Sequence, residues 1–383
     1  MRYRWAVLAA GTAAQASFSA ITIGLAVLAP VLREELDLSL GEIGVLLSAA
    51  WVGALATLLP WGIAADRYGE RVVLALGLTG SAACLVGAAY AQSFSSLYLW
   101  LVLAGAAGAS VNSASGRAVM HWFGANERGL ALGVRQTAIP LGGLAAALVV
   151  PRLADAGGSE AAFLFLAAFC AAGALAGALV LRGREAGEAL ESASVAETLR
   201  DGRLWRLSLA SGLYLYAQVA VIGFGVLFLH DEHGFSDGDA ALVIAVAQVL
   251  AVIFRIGAGR WSDLLGSRIV PLRRVGLAVS TTLVLTAVLA GGPVWLLVPA
   301  LALAGGLSMA WNGLSFTAAA ELAGLRRSGA AIGFQQSVLS GIGVGAPVLF
   351  AATVSGGSWA IALALAALFP LAGWWGLRPL RGH

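Results

Sequence analysis

A chain of 383 residues that is 60% apolar and only 11% charged is not an ordinary soluble domain, in which about a quarter of the residues carry charge. Its formal net charge of +3 rests on arginine alone, because no lysine is present. Its two cysteines, Cys84 and Cys170, lie inside apolar runs, which excludes a disulfide framework and a thiolate metal site.

What remains is an all-α polytopic membrane protein. Apolar runs of about 20 residues, enough to cross a bilayer ~30 Å thick, recur along the chain. Twelve are expected, near 5–31, 41–65, 72–91, 97–120, 130–153, 161–181, 207–229, 239–258, 275–291, 294–320, 329–353 and 358–377. The first follows Arg2 and Arg4 as a signal peptide would. It continues unbroken to Val31, too long for a cleaved apolar region, so it is expected to stay as the first span. With a cytoplasmic N-terminus, 18 of the 23 arginines fall on cytoplasmic segments, two (Arg33, Arg152) fall outside, and three (Arg117, Arg135, Arg255) fall within spans. That asymmetry predicts cytoplasmic termini and a plasma-membrane protein. Topology accounts for the basic residues, so no nucleic-acid partner is expected.

The polar segment 182–206 separates six spans from six. The expected organisation is a six-helix bundle over 1–181, a cytoplasmic connector over 182–206 and a second six-helix bundle over 207–383. The halves repeat. "GIAADRYGER" (62–71) and "GRWSDLLGSR" (259–268) share G-x3-D-x2-G-x-R at an offset of 197. Ser39, Gly41 and Glu42 match Ser236, Gly238 and Asp239 at the same offset. Asn112, Ser115 and Gln136 match Asn312, Ser315 and Gln336 at an offset of 200. Two such halves, with a solute site at mid-membrane, are a transporter architecture.

The loop at 62–71 resembles the signature loop of the major facilitator superfamily, G-x3-D-R-x-G-x-R, and 259–268 resembles its degenerate second copy. With the twelve spans and the half repeat, the resemblance covers nearly the whole chain. It implies a secondary transporter working by alternating access. It also implies that Asp66, Arg67, Gly69 and Arg71 form one gating loop and Asp263, Gly266 and Arg268 another. In such loops Asp66 meets the start of span 11 near Gly329 and Ala330, and Asp263 meets span 5 near Gly129. Two family motifs are absent: Leu101 and Ala104 replace the Arg and Gln expected in span 4, and "IPLGG" (139–143) is a partial span-5 antiporter motif.

Charges inside the bilayer are costly and usually serve function. Arg255 lies two turns before Asp263, with Gln248 on its face seven residues earlier. The pattern R-x3-G-x3-D is similar to the monocarboxylate and oxalate branches of the superfamily, where this arginine binds a substrate carboxylate. A guanidinium suits that task because its planar fork pairs bidentately and keeps its charge. Arg117 resembles the span-4 arginine of the organic-anion branch, and Arg135 lies at similar depth in span 5. Gln15, Gln218, Tyr214 and Asn312 lie on spans 1, 7 and 10, which line the cavity in the superfamily. Glu321 and His121, matched in the half repeat, are candidates for proton coupling. Gly62, Gly341 and Gly345 are expected where helices approach closely.

Three interior arginines against one peripheral acid favour negative cargo. The expected function is transport of a small organic anion, a carboxylate, by a monomer in the bilayer. The alternatives are export of drugs or hydrophobic compounds, transport of an inorganic anion such as nitrate or cyanate, and, more remotely, a non-transporting membrane receptor. No HExxH, GxSxG or phosphate-binding glycine loop is present, so no enzyme, cofactor or metal is expected.

Overall fold

A computed structural model describes residues 2–112, 131, 134–181, 197–324 and 327–380, the side chains of Arg2 and Asp66 aside, and among these residues it is helical without a strand. The chain divides into two compact units, Met1–Ala189 with Ser236–Ala245, and Leu190–Phe235 with Val246–His383.

In the first unit, α1 (Arg2–Val27) leads through the short α2 (Ala29–Glu35) to α3 (Leu40–Ala89), α4 (Phe94–Gly108) and α5 (Ala138–Val180). At about 1.5 Å per residue, the 50 residues of α3 and the 43 of α5 are each about twice as long as a bilayer is thick. Both turn back at glycine. Gly69 (φ 80°, ψ 161°) divides α3 into spans 2 and 3, and Gly157 with Gly158 (φ 66°, ψ −168°) divides α5 into spans 5 and 6. Eleven described helices are long and apolar enough to cross a membrane, and one of them, Val134–Val180, is this folded pair. The described residues therefore hold twelve spans. The Tyr3 hydroxyl donates to the Val180 carbonyl at 2.6 Å, so span 1 begins where span 6 ends, as six crossings require. At the opposite end, the Glu35 carboxylate accepts from the Ser159 amide at 2.9 Å and caps span 6.

Small residues let these backbones touch, the main packing device between helices in lipid. A Cβ at Gly105 would overlap the Ala50 backbone, and one at Gly142 would overlap the Ala16 carbonyl. At Gly62, Gly341 and Gly345, where close approaches are expected, a built Cβ meets nothing within 4 Å among the described residues. Small-residue spacing in a chain this rich in glycine does not say which glycine faces a neighbour.

Gly69 and Gly62 should accordingly respond differently to alanine. Gly69 holds a backbone conformation open essentially to glycine alone, so Gly69→Ala should destabilise the protein by about 1–3 kcal/mol. Gly62→Ala adds a methyl to open space in a helix and should leave stability unchanged or slightly raised. Thermal unfolding of the two variants in detergent checks the contrast; equal melting temperatures would refute it.

In the second unit, span 7 consists of α6 (Gly202–Gln218), a π-helical turn (Val219–Gly223) and α7 (Phe224–His233). Spans 8 and 9 are α8 (Asp237–Leu265), of which the residues from Val246 belong to this unit, and α9 (Ile269–Leu289). Span 10 is broken into α10 (Val294–Ser308) and α11 (Trp311–Ala323). Span 11 is α12 (Ser328–Ser355), and span 12 is α13 (Trp359–Ala366) with α14 (Leu368–Gly376). Asp201 caps α6 by accepting from the Arg203 amide. The Arg203 guanidinium beside it holds the Asp201 carboxyl below the usual carboxylate range.

Span 9 starts at Ile269 rather than near 275, which draws Arg273 and Arg274 into the helix. Arg273 is tolerated there because its Nε donates to the Trp374 carbonyl at 2.9 Å and its guanidinium lies 5.0 Å from the Trp374 ring centroid. The matched "LSLGE" and "FSDGD" stretches prove to be helix starts. Ser39 and Glu42 form a reciprocal capping box at α3, and the Ser236 hydroxyl accepts from the Asp239 amide at 3.1 Å at α8.

Candidate functional site

Span 1 and span 5 carry the polar centre of the first unit. Arg135 and Gln15 are both buried, at 9% and 5% exposure. The Arg135 guanidinium donates to Gln15 Oε1 at 2.9 Å, and Gln15 Nε2 reaches the Ser19 hydroxyl at 3.5 Å on the next turn. Two residues singled out separately in the sequence are thus one hydrogen-bonded pair. Gln15 thus orients the planar, charged guanidinium.

Span 10 supplies the frame of the second unit. Its helix ends at Ser308 and restarts at Trp311, with tight turns in which the Met309 amide bonds the Gly306 carbonyl and the Ala310 amide bonds the Leu307 carbonyl. The break frees backbone carbonyls from the helical ladder. Arg255, 8% exposed on span 8, fills that need: its Nε donates to the Met309 carbonyl at 2.7 Å. Span 4 has a matching irregularity at Ala109, whose carbonyl accepts from the Asn112 amide at 3.1 Å. Ala109 and Met309 stand 200 residues apart, the offset of the sequence repeat.

Three residues that sequence reasoning had not placed in the site join span 7, span 10 and span 11. The hydroxyls of Ser211 and Ser315 meet at 2.5 Å. Gln335 Nε2 donates to Ser315 and, at 3.4 Å, to Ser211. Gln335 stands 200 residues after Arg135. Spans 5 and 11 thus place an arginine and a glutamine at repeat-related positions, each bonded to the first span of its half. The offset, applied to every polar position in turn, was the signal that could have identified Gln335.

The other expected site residues are distributed as follows. Gln248 is fully buried on the face of span 8 that carries Arg255. Asn312 is buried one turn beyond the span-10 break, and Gln218 ends α6 where the π turn begins. Tyr214 packs between helices: its hydroxyl end lies against Gly276 of span 9 and its ring edge against Gly373 of span 12. Its ring also meets Trp311 edge-on at 6.4 Å. Arg117, His121 and Gly129 lie outside the described residues, as does the side chain of Asp66.

Both signature loops turn through glycines with positive φ, 80° at Gly69 and 60° at Gly266. Arg67 lies over the Tyr68 ring with its guanidinium 5.4 Å from the centroid, and Arg71 is exposed. In the second loop, Arg268 binds Asp263 at 2.5 Å, Glu321 at 3.0 Å and the Ser262 hydroxyl at 2.8 Å. Burial works to lower the Arg268 pKa, but the hydrogen bonds to Asp263 and Glu321 outweigh it and hold the pKa above the ordinary guanidinium value. Glu321, considered for proton coupling, is 54% exposed and occupied in this pair, which ties the end of span 10 to the loop after span 8. Among the described residues no cluster of three or more His, Cys, Asp or Glu side chains could hold a metal ion.

The sequence profile of the Major Facilitator Superfamily matches residues 8–347. The chain is 35% identical over 375 residues to the uncharacterized MFS-type transporter Rv2994 of Mycobacterium tuberculosis, covering 96% of this chain and 83% of that one. A shorter match, 26% identical over 142 residues, relates 37% of the chain to 34% of a hexuronate transporter of Bacillus subtilis. In structure it resembles the nucleoside transporter NupG with a TM-score of 0.77 at 16% identity, covering 98% of this chain and 99% of that one.

Proposed function

The chain belongs to the Major Facilitator Superfamily and is a secondary transporter rather than an enzyme, and from that premise we propose that its cargo is a small organic anion bearing a carboxylate. The observation that carries this reading is Arg255. It is buried in span 8 and held by the Met309 carbonyl. A guanidinium kept in such a place favours a ligand that brings its own negative charge. Arg135, oriented by Gln15, is the equivalent feature of the first unit. The name of the hexuronate relative supports the reading, since a hexuronate is a carboxylate.

In this reading the bundles 1–181 and 207–383, joined by the connector 182–206, move by alternating access with both termini in the cytoplasm. The glycine turns at Gly69 and Gly266 serve as gating loops. Anion binding drives the cycle only through contacts that differ between the open and occluded states.

The test is uptake or counterflow into liposomes containing the purified protein. The panel should comprise mono- and dicarboxylates, with nitrate, cyanate and a cationic dye as comparisons. Saturable flux of at least one carboxylate is expected. Flux of the dye or of an inorganic anion with none of any carboxylate would overturn the proposal.

A further inference from the structure

We propose that the seam between spans 9 and 12 holds the headgroup of an anionic phospholipid, its phosphate bound by Arg273 and Arg378 and its acyl chains laid along the outer faces of the two helices. The site lies within the second unit, at the end that carries the Gly266 loop, and is independent of the cargo.

The described acids at this end of the unit are already engaged. Asp201 pairs with Arg203, Asp263 and Glu321 pair with Arg268, and Glu197 pairs with Arg327. Arg273, Arg274 and Arg378 form no ion pair among the described residues, and each lies over a tryptophan ring instead. Arg273 and Arg378 share one ring, with their guanidiniums 5.0 and 5.2 Å from the Trp374 centroid. Two like charges gathered on one indole repel each other until an anion joins them. Arg273 is only 3% exposed. Its Nε donates to the Trp374 carbonyl, but its Nη2 is buried without a hydrogen-bond partner among the described residues. A buried charged donor left unbonded is strongly destabilising. Arg378 is exposed, on the 3-10 turn Arg378–Leu380 that follows span 12. It meets the headgroup first, and a shift of the half-buried Trp374 ring admits a phosphate oxygen to Arg273 Nη2. A phosphate diester offers two charged oxygens, which suit a pair of guanidinium forks.

The faces that run away from the arginines select a lipid. On span 12, Ile361, Leu368, Leu371 and Trp375 are exposed at helical spacing, and Arg378 ends the row. On span 9, Leu277, Val284 and Val288 are exposed in the same way, and Arg274 begins the row. The two helices pack side by side: the Ser280 hydroxyl donates to the Ala367 carbonyl at 2.9 Å, two turns from the Arg273–Trp374 bond. Apolar rows that end in arginine, with tryptophan at the junction, match an amphiphile that has its chains in the bilayer and its negative charge at the boundary. Soluble phosphate has nothing to lay on the rows. A zwitterionic lipid brings an ammonium, which the arginines repel.

The test titrates the purified full-length protein in detergent with dioleoylphosphatidylglycerol, dioleoylphosphatidylcholine or inorganic phosphate. Native mass spectrometry reads the bound lipid, and thermal unfolding reads the stabilisation that binding confers. Phosphatidylglycerol should bind at least 10-fold more tightly than phosphatidylcholine and raise the melting temperature, and inorganic phosphate should do neither. An arginine near an anionic lipid surface contributes about 5-fold in affinity. Arg378→Gln should therefore lower the preference for phosphatidylglycerol about 5-fold, whereas Arg200→Gln, at another exposed arginine, should leave it unchanged. Equal binding of the two lipids, an undiminished preference in Arg378→Gln, or an equal loss in Arg200→Gln would overturn the site. Displacement of phosphatidylglycerol by inorganic phosphate would overturn the lipid assignment. None of these readouts involves transport, so each outcome leaves the carboxylate reading as it stands.

Discussion

Arg255→Gln should reduce carboxylate transport by roughly 30-fold to several thousand-fold, because truncating a buried, hydrogen-bonded charged partner costs about 2–5 kcal/mol of binding. Glutamine retains a donor that can reach toward the Met309 carbonyl, so the span-10 break keeps some support while the charge is lost. Arg255→Lys keeps the charge but loses the planar fork and the Nε bond, and should recover only part of the activity. Stability should change far less than transport. The mutation weakens one hydrogen bond to a buried carbonyl, about 1–3 kcal/mol, and also removes the desolvation penalty of a buried ion, which is of the same order or larger. Initial uptake rates in liposomes, with melting temperatures of the same preparations, check both statements. Wild-type uptake by Arg255→Gln would remove Arg255 from the binding site.

The second large effect is expected at the Arg135–Gln15 pair. Arg135→Met should abolish transport and also destabilise the protein, since Gln15 Oε1 loses a charged donor at 2.9 Å in a buried setting. Hydrogen bonds to charged groups contribute about 1.5–3 kcal/mol. Gln15→Leu alone should leave the guanidinium less well oriented and raise KM more than it lowers kcat. Combining the two removes both polar groups, so the double variant should be more stable than the sum of the single effects by about 1–3 kcal/mol. A double-mutant cycle on unfolding, with uptake kinetics alongside, measures this coupling. Strict additivity would mean that the pair does not act as a unit.

Much of the architecture was legible because it depends on local properties. Helices that cross lipid must be apolar for about 20 residues, whatever they pack against, so their number could be counted. A backbone that turns with positive φ needs glycine, so Gly69 and Gly266 stand out in their loops. A side-chain cap steadies a helix start, and Ser39 with Glu42 and Ser236 with Asp239 recur at the same offset. Where local pattern competed with tertiary packing, packing prevailed. The apolar run predicts span 9 from near 275, yet Arg273 is helical, with a carbonyl and a ring of Trp374 to receive it. Gly341 and Gly345 have the spacing of a packing motif, yet among the described residues nothing lies within 4 Å of a Cβ built at either.

By itself, then, the sequence determined the class of protein, the number of spans, the half repeat and the turns of the signature loops, along with the candidate interior charges. Only the tertiary structure decided which polar groups meet. Arg135 and Gln15 are 120 residues apart, Arg255 bonds a carbonyl freed by a helix break 54 residues away, and Tyr214 packs against glycines of spans 9 and 12. The reason is physical. In lipid, both the outward and the inward faces of a helix are apolar, so hydrophobic periodicity does not distinguish them. A polar side chain in a span must find a partner, but the partner is chosen by the packing of other helices, and that choice is not written in the residues around it.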